Sequence, residues 1–217
     1  MTLFRLDASI TPATSQSRAL ADLVEAEWAA SHPESTVCRR DVGTEPVPAT
    51  AWGDAVGAGW MPEADRTPAQ RDAVALAATL VDELADADAY LFAVPLYNFG
   101  PSQHFKTWVD LVIADPRMGP GAEPLTAGKP AVLATVQGGN YAPGTPKEGW
   151  DHATEWMRRI LEDVWQLDLS VVSREFTLVG VNPALDAFTD LAAGIRTAAE
   201  GRATQLGRLL AERRRAA

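Results

Sequence analysis

The sequence predicts an α/β domain built on a doubly wound, five-stranded parallel sheet with helices on both faces. Three observations predict it. Short apolar runs recur five times, an amphipathic helical pattern follows each of them, and no internal repeat or low-complexity tract intervenes. Parallel neighbours need a helix-length crossover, so this alternation is what such a sheet requires.

The first run is TLFRLDA, residues 2–8. A Ser-rich segment follows, and then Leu20, Leu23, Val24 and Trp28 fall on one helical face. The second run is TVCRRDV, residues 36–42. Its helix is read from Val74, Ala77, Leu80, Val81 and Leu84, after a long stretch at residues 43–68 that carries Trp52 and Trp60. That stretch is expected to be an irregular insertion near the active site, because loops of this length in compact domains are usually functional or partly structured. The third run is AYLFAVP, residues 89–95, with Phe105, Trp108, Val109 and Val112 at helical spacing beyond it. The fourth, PAVLATV at 130–136, leads to Trp156, Ile160, Val164 and Trp165. The fifth, LSVVSREF at 169–176, leads to Leu185, Phe188, Leu191, Ile195, Ala199 and Leu206. The 217 residues suit a single domain over 1–217.

A formal net charge of −10 argues against a nucleic-acid partner, which draws on clustered Lys and Arg. The one basic block, Arg213, Arg214 and Arg215, reads as a solvated helix end opposing the negative end of the helix dipole. Cys38 stands alone, which leaves no disulfide framework and fits a reducing compartment. The first residues lack a signal-like pattern, and no run approaches the roughly 18 apolar residues of a membrane span. The expectation is a cytoplasmic protein with no membrane and no metal partner. His32, His104 and His152 lie in no metal-ligand spacing.

Open α/β sheets bind ligands at the carboxyl ends of their strands, where strand order reverses. No glycine precedes Gly43, so the loop after the first strand cannot carry a G-x-G-x-x-G dinucleotide fingerprint. It reads ASITPATSQS instead, with hydroxyls at Ser9, Thr11, Thr14, Ser15 and Ser17 running into a helix start. Such a loop can wrap a phosphate at the positive end of the helix. It can equally be a polar loop in which Ser15 caps the helix. The GAEPLTAGKP segment has the wrong spacing for a P-loop, and a strand follows it. After the third strand, Tyr97, Asn98 and Phe99 between Pro95 and Gly100 form an aromatic turn able to offer a flat apolar wall and main-chain hydrogen bonds. After the fourth, Gly138 and Gly139 let backbone approach a ligand with no Cβ in the way. Together the three loops describe a site for a mononucleotide with a large ring.

Four landmarks then coincide: Ser9, Ser15 and Ser17; Leu96, Tyr97, Asn98 and Phe99; Lys106, Asp110, Leu111 and Val112; and Val136, Gln137, Gly138 and Gly139. In these the chain resembles, over nearly its whole length, the FMN-dependent NADH-azoreductases, the flavodoxin-like quinone reductase family. Two departures stand out. Val136 and Gln137 replace a Ser-Arg pair, removing a hydroxyl and a cation near the expected flavin, and residues 115–128 are short and lack the family's aromatic pattern.

The resemblance implies a flavodoxin-like fold and FMN as cofactor, held by Ser9, Ser15, Gln16, Ser17, residues 96–99 and residues 136–139. It implies NADH or NADPH as donor, a quinone or azo acceptor, a ping-pong cycle and a homodimer with sites at the subunit interface. Asn98, Phe99, Tyr141 and, across that interface, Trp60 are the expected substrate contacts. No catalytic acid or base is assigned, since the flavin carries the redox chemistry. A flavodoxin-type electron carrier and a pathway-specific flavoenzyme with another acceptor are the alternatives.

Overall fold

The computed structural model describes residues 1–213. Its strands are β1 (Thr2–Asp7), β2 (Thr36–Asp41), β3 (Ala89–Tyr97), β4 (Gly100–Pro101), β5 (Pro130–Val136) and β6 (Asp168–Arg174). Five of them pair in parallel in the order β2-β1-β3-β5-β6, while the two-residue β4 folds back on β3 in antiparallel fashion. This is the flavodoxin-like order, whose reversal of direction lies between β1 and β3. Around the sheet pack α1 (Gln16–Ser31), α2 (Ala51–Ala58), α3 (Pro68–Ala85), α4 (Gln103–Ala114), α5 (Thr154–Arg158) and α6 (Thr189–Glu212).

β3 and β5 are buried almost end to end, as central parallel strands covered on both faces must be. Edge strand β2 is half exposed and carries Arg39, Arg40 and Asp41. Along β3 the side chains alternate between two cores. Tyr90, Phe92 and Val94 join Phe4, Phe105, Trp108 and Trp165 on the face covered by α2 to α5. Ala89, Leu91 and Ala93 meet Leu20, Val24, Trp28, Ala203 and Leu206 of α1 and α6 on the other. Each fully buried large apolar side chain contributes about 1.5 to 3 kcal/mol. Helix starts are set locally: the Ser15 Oγ accepts from the Arg18 N–H, and Thr67 forms a reciprocal capping box with Gln70 ahead of α3.

The expected strands match to within two residues, and the differences lie in the connections. Residues 43–68 are not irregular throughout. They contain α2, whose Ala51, Ala55 and Ala58 form a narrow buried face, and a single 3-10 turn at Glu63–Asp65. Gly53 and Gly57 dilute helix propensity there, and small alanines give little apolar contrast, so contact with α3 and α4 rather than local preference forms the helix. The fourth expected helix is α-helical only over Thr154–Arg158 and widens to a π turn at Arg159–Val164. The last begins as a 3-10 segment at Pro183–Phe188 before α6. At its far end Arg213 pairs with Asp168 at 2.7 Å, while Arg214 and Arg215 lie outside the described residues. No helix among the described residues is long and apolar enough to cross a membrane.

Candidate functional site

A cleft of about 600 Å³ opens at the carboxyl ends of β1, β3 and β5. Its floor is the turn between β3 and β4. Tyr97 pairs with Gly100 and Leu96 with Pro101, leaving Asn98 and Phe99 as the two central residues, with φ of 48° and 69°. A two-residue hairpin with both central φ positive is the type I′ geometry, which asks for Asn at the first position and Gly at the second. Asn98 suits it. Phe99 does not, and a bulky residue held in the left-handed region costs about 1 to 2 kcal/mol. The residue is 38% exposed, its ring edge-on to Trp150 at 5.4 Å and to Tyr141 at 6.4 Å. The turn is braced from behind by the His152 N–H, which donates to the Phe99 carbonyl at 2.9 Å.

The loop after β1 meets this turn through Tyr97. The Ser9 and Tyr97 hydroxyls lie 3.4 Å apart, and the Ile10 N–H donates to the Tyr97 hydroxyl at 3.3 Å. Ser9 is buried, and Gly43 presses on it so closely that a Cβ at position 43 would stand 2.1 Å from the Ser9 carbonyl oxygen. Ser15 caps α1, and its Oγ lies 3.2 Å from that of buried Ser17. Gln16 reaches back to the Thr14 carbonyl and accepts from Arg174. The backbone N–H groups of Gln16 and Ser17 have no acceptor among the described residues, as expected at the positive end of a helix.

Beneath this loop lies an ion-pair network. Arg5 is buried between Asp7, Asp22 and Glu25, while Arg18 holds Asp41 at 2.7 Å. Burial works against the charged form of Arg5, but its carboxylate partners more than offset it and raise its pKa. Burial likewise opposes ionised Asp41, yet hydrogen bonds from Arg18 and Thr44 outweigh it and leave its carboxyl below the usual aspartate range. Arg18 also donates to the Ser9 carbonyl at 3.4 Å, so the network steadies the loop.

On the third side, Gly138 and Gly139 line the cleft. A Cβ on Gly138 would collide with Leu178 at 2.7 Å, whereas one on Gly139 would project beside Lys147 and Tyr141 at 3.6 to 3.8 Å. Gly139 thus leaves bare space where a side chain would stand. Tyr141 is partly buried, and that burial, with the charge of Asp151, pushes its phenol up so that it stays protonated at neutral pH. Val136 does not face the cleft. Its side chain packs in the core under α1 and α6. Nor does the amide of Gln137, which donates to Asp151 at 2.6 Å. Asp151 in turn accepts from the Ala153 and Thr154 N–H groups at the start of α5.

Leu96, Tyr97, Asn98, Phe99, Gly138, Gly139 and Tyr141 therefore come together, with Ser9 behind Tyr97. Ser15, Gln16 and Ser17 lie on the adjoining helix start rather than in the cleft wall. Trp60 is 86% exposed and lines no part of the cleft of its own chain. Sequence reasoning missed Ile10, Ser102, Gln103, Lys147 and Leu178. Ser102 and Gln103 had a signal, since they directly follow the aromatic turn. Leu178 had none, because hydrogen bonds from residues 176–178 to 137–139 bring it in. Among the described residues, Lys147 is the sole permanently charged side chain in the cleft wall.

This geometry fits a flavin mononucleotide. Bare backbone at Gly139, an exposed aromatic turn and unpaired N–H groups at a helix start suit a flat ring at one end and an anion at the other. A family model described as flavodoxin-like fold matches residues 1–180. An FMN-dependent NADH:quinone oxidoreductase of Parafrankia sp. is 38% identical over 200 residues, 91% of this chain and 94% of that protein. One from Frankia alni is 40% identical over the same shares. Among solved structures, an azoreductase from Bacillus anthracis superposes with a TM-score of 0.76 at 22% identity, over 96% of this chain and 99% of that one. Matched by the family model over residues 1–180 and by such relatives over 91% of its length, the chain belongs to the flavodoxin-like family of FMN-dependent NADH:quinone oxidoreductases.

Proposed function

We propose that this protein oxidises NADH or NADPH and reduces quinones and azo compounds through FMN bound in the cleft. One observation carries the reading. The strained aromatic turn and the bare glycine pair face a common space, in a chain 38 to 40% identical to proteins named for that activity. Bound FMN supplies hydride acceptance and return. The chain's own residues orient the reactants and exclude water. Ser9 and the N–H groups of Gln16 and Ser17, with Ser15 shaping the helix start, hold the phosphate. Leu96 to Phe99 support the ring, and Gly138 and Gly139 bound its edge. Phe99 and Tyr141 offer aromatic surface to flat reactants, and the protonated Tyr141 phenol is a hydrogen-bond donor in the cleft wall.

The protein acts as a homodimer in the cytoplasm on this reading. Support for the dimer comes from an exposed apolar group on and beyond α2: Trp52, Val56, Trp60 and Met61. Trp60 of one subunit would then wall the cleft of its partner.

The test is spectroscopic. Purified protein should show flavin bands in the near ultraviolet and blue, bleach on anaerobic mixing with NADH, and recover on adding benzoquinone. Flavin that binds but is not bleached by NADH or NADPH would identify an electron carrier instead. Sedimentation of the parent and of Trp60→Ala tests the dimer, whose loss of quinone turnover on this substitution, with FMN content intact, is the expected result.

A further inference from the structure

We propose that Arg174, at the carboxyl end of β6, is a positioning residue for the cofactor's phosphate, acting through Gln16 in the first turn of α1. The inference rests on the reading above and adds a residue to it. β6 is an edge strand, and its last residue stands opposite Val136 in the parallel register, on the face covered by α1 and α6. Arg174 is therefore only partly exposed. Its guanidinium donates to the side-chain carbonyl of Gln16, whose amide in turn donates to the Thr14 carbonyl at 3.0 Å. A strap thus runs from the sheet to the loop after β1.

Three arginines stand at this loop or beneath it, and their partners differ. Arg5 lies among Asp7, Asp22 and Glu25, and Arg18 donates to both carboxylate oxygens of Asp41 at 2.7 Å. Those two charges are matched. Arg174 makes no ion pair among the described residues, and Glu200, the carboxylate that favours its charge, pairs with Arg196 at 2.7 Å. Its Nε is buried with no acceptor among the described residues. Burial, and after it the like charge of Arg196, hold the Arg174 pKa below the usual arginine range.

A cation so placed is a cost to the protein without ligand. An anion at the start of α1 relieves it, and the open N–H groups of Gln16 and Ser17 mark where an anion would be received. A phosphate monoester carries a charge of about −1.5 to −2 at pH 7. In a chain of net charge −10, an unmatched guanidinium beside that point also offsets the general repulsion of an anionic ligand.

The test is flavin binding by the full chain stripped of cofactor, read by fluorescence titration with FMN and with riboflavin, which lacks the phosphate. Arg174→Gln should raise the Kd of FMN about tenfold and that of riboflavin by less than about twofold. Arg174→Lys keeps the charge and should stay within about threefold of the parent for FMN. Without flavin, the melting temperature of Arg174→Gln should lie within about 2 °C of the parent's, because the arginine serves the anion rather than the fold. Added salt should weaken FMN less in Arg174→Gln than in the parent. The proposal is overturned if Arg174→Gln keeps the parent's Kd for FMN, if FMN and riboflavin weaken equally, or if Arg174→Lys loses as much as Arg174→Gln. A parent that binds FMN no better than riboflavin would remove the phosphate site itself and this proposal with it. A parent that prefers FMN, with the preference unchanged in Arg174→Gln, would remove the role of Arg174 alone.

Discussion

Two aromatic clusters of similar internal spacing sit at opposite ends of the same strand. Phe4, Tyr90, Phe92, Phe105 and Trp108 lie fully buried on the face covered by α2 to α5, with ring centroids 5.8 to 6.4 Å apart. Phe99 lies at the carboxyl end with Tyr141 at 6.4 Å and Trp150 at 5.4 Å from its ring, all three partly in water, and Phe99 stands on a left-handed backbone. Burial explains the first cluster completely. The second gains little from burial and carries strain, which is what a surface kept for a ligand looks like. Ring contact by itself says nothing about role; exposure and backbone cost separate the two.

The contrast can be broken by substitution. Phe92→Ala, inside the buried cluster, should cost about 3 to 5 kcal/mol of unfolding free energy by denaturant titration. A loss near 1 kcal/mol would mean that the core relaxes and the clusters are not so different. Gly139→Val, at the cleft, should leave stability within about 1 kcal/mol. It should weaken FMN by about 1 to 3 kcal/mol in titrations of the apoprotein, since the added methyls fill ligand space. Phe99→Ala keeps the left-handed backbone and loses only ring contacts. The KM for a one-ring quinone should rise by roughly 2- to 10-fold, with thermal stability changed by less than about 1.5 kcal/mol.

The smallest effect concerns the loop after β1, which ion pairs rather than rings hold in place. Asp41 has a lowered pKa when folded, so its pairing with Arg18 adds stability above the unfolded value of about 3.9. That stability is lost as pH falls through the lower folded-state value. Asp41→Asn should therefore lower the melting temperature at pH 7 and show a shallower further drop below about pH 4. Parallel acid titrations of variant and parent would refute the assignment.

Much of this was legible in the chain because both signals are local. Continuous apolar runs mark parallel strands buried on two faces, and Asn98 ahead of Phe99 and Gly100 marks a turn wherever it occurs. The face of α2 was hidden because alanines give weak periodicity between glycines. Of the two readings of its loop, Ser15 is seen in one, as the helix cap; the other, a phosphate contact, stays part of the proposal. What the sequence could not disclose was long-range partnership. Nothing in the sequence joins Gln137 to Asp151, which accepts from its amide, and Lys147 enters the cleft only through the fold of residues 140–150.

β3 is hydrogen-bonded to β1 on one side and β5 on the other, and it is buried through Leu96. Its amides can meet solvent deuterium only when the whole sheet opens, whereas those of Asn98 and Phe99, two residues further on, sit at the rim. Hydrogen exchange should therefore change within a few residues from the slowest class in the chain to one of the fastest. Bound ligand would slow the rim amides directly, but it would slow those of β3 only by as much as it stabilises the entire molecule. Exchange along this one strand thus measures local closure at one end and global stability at the other.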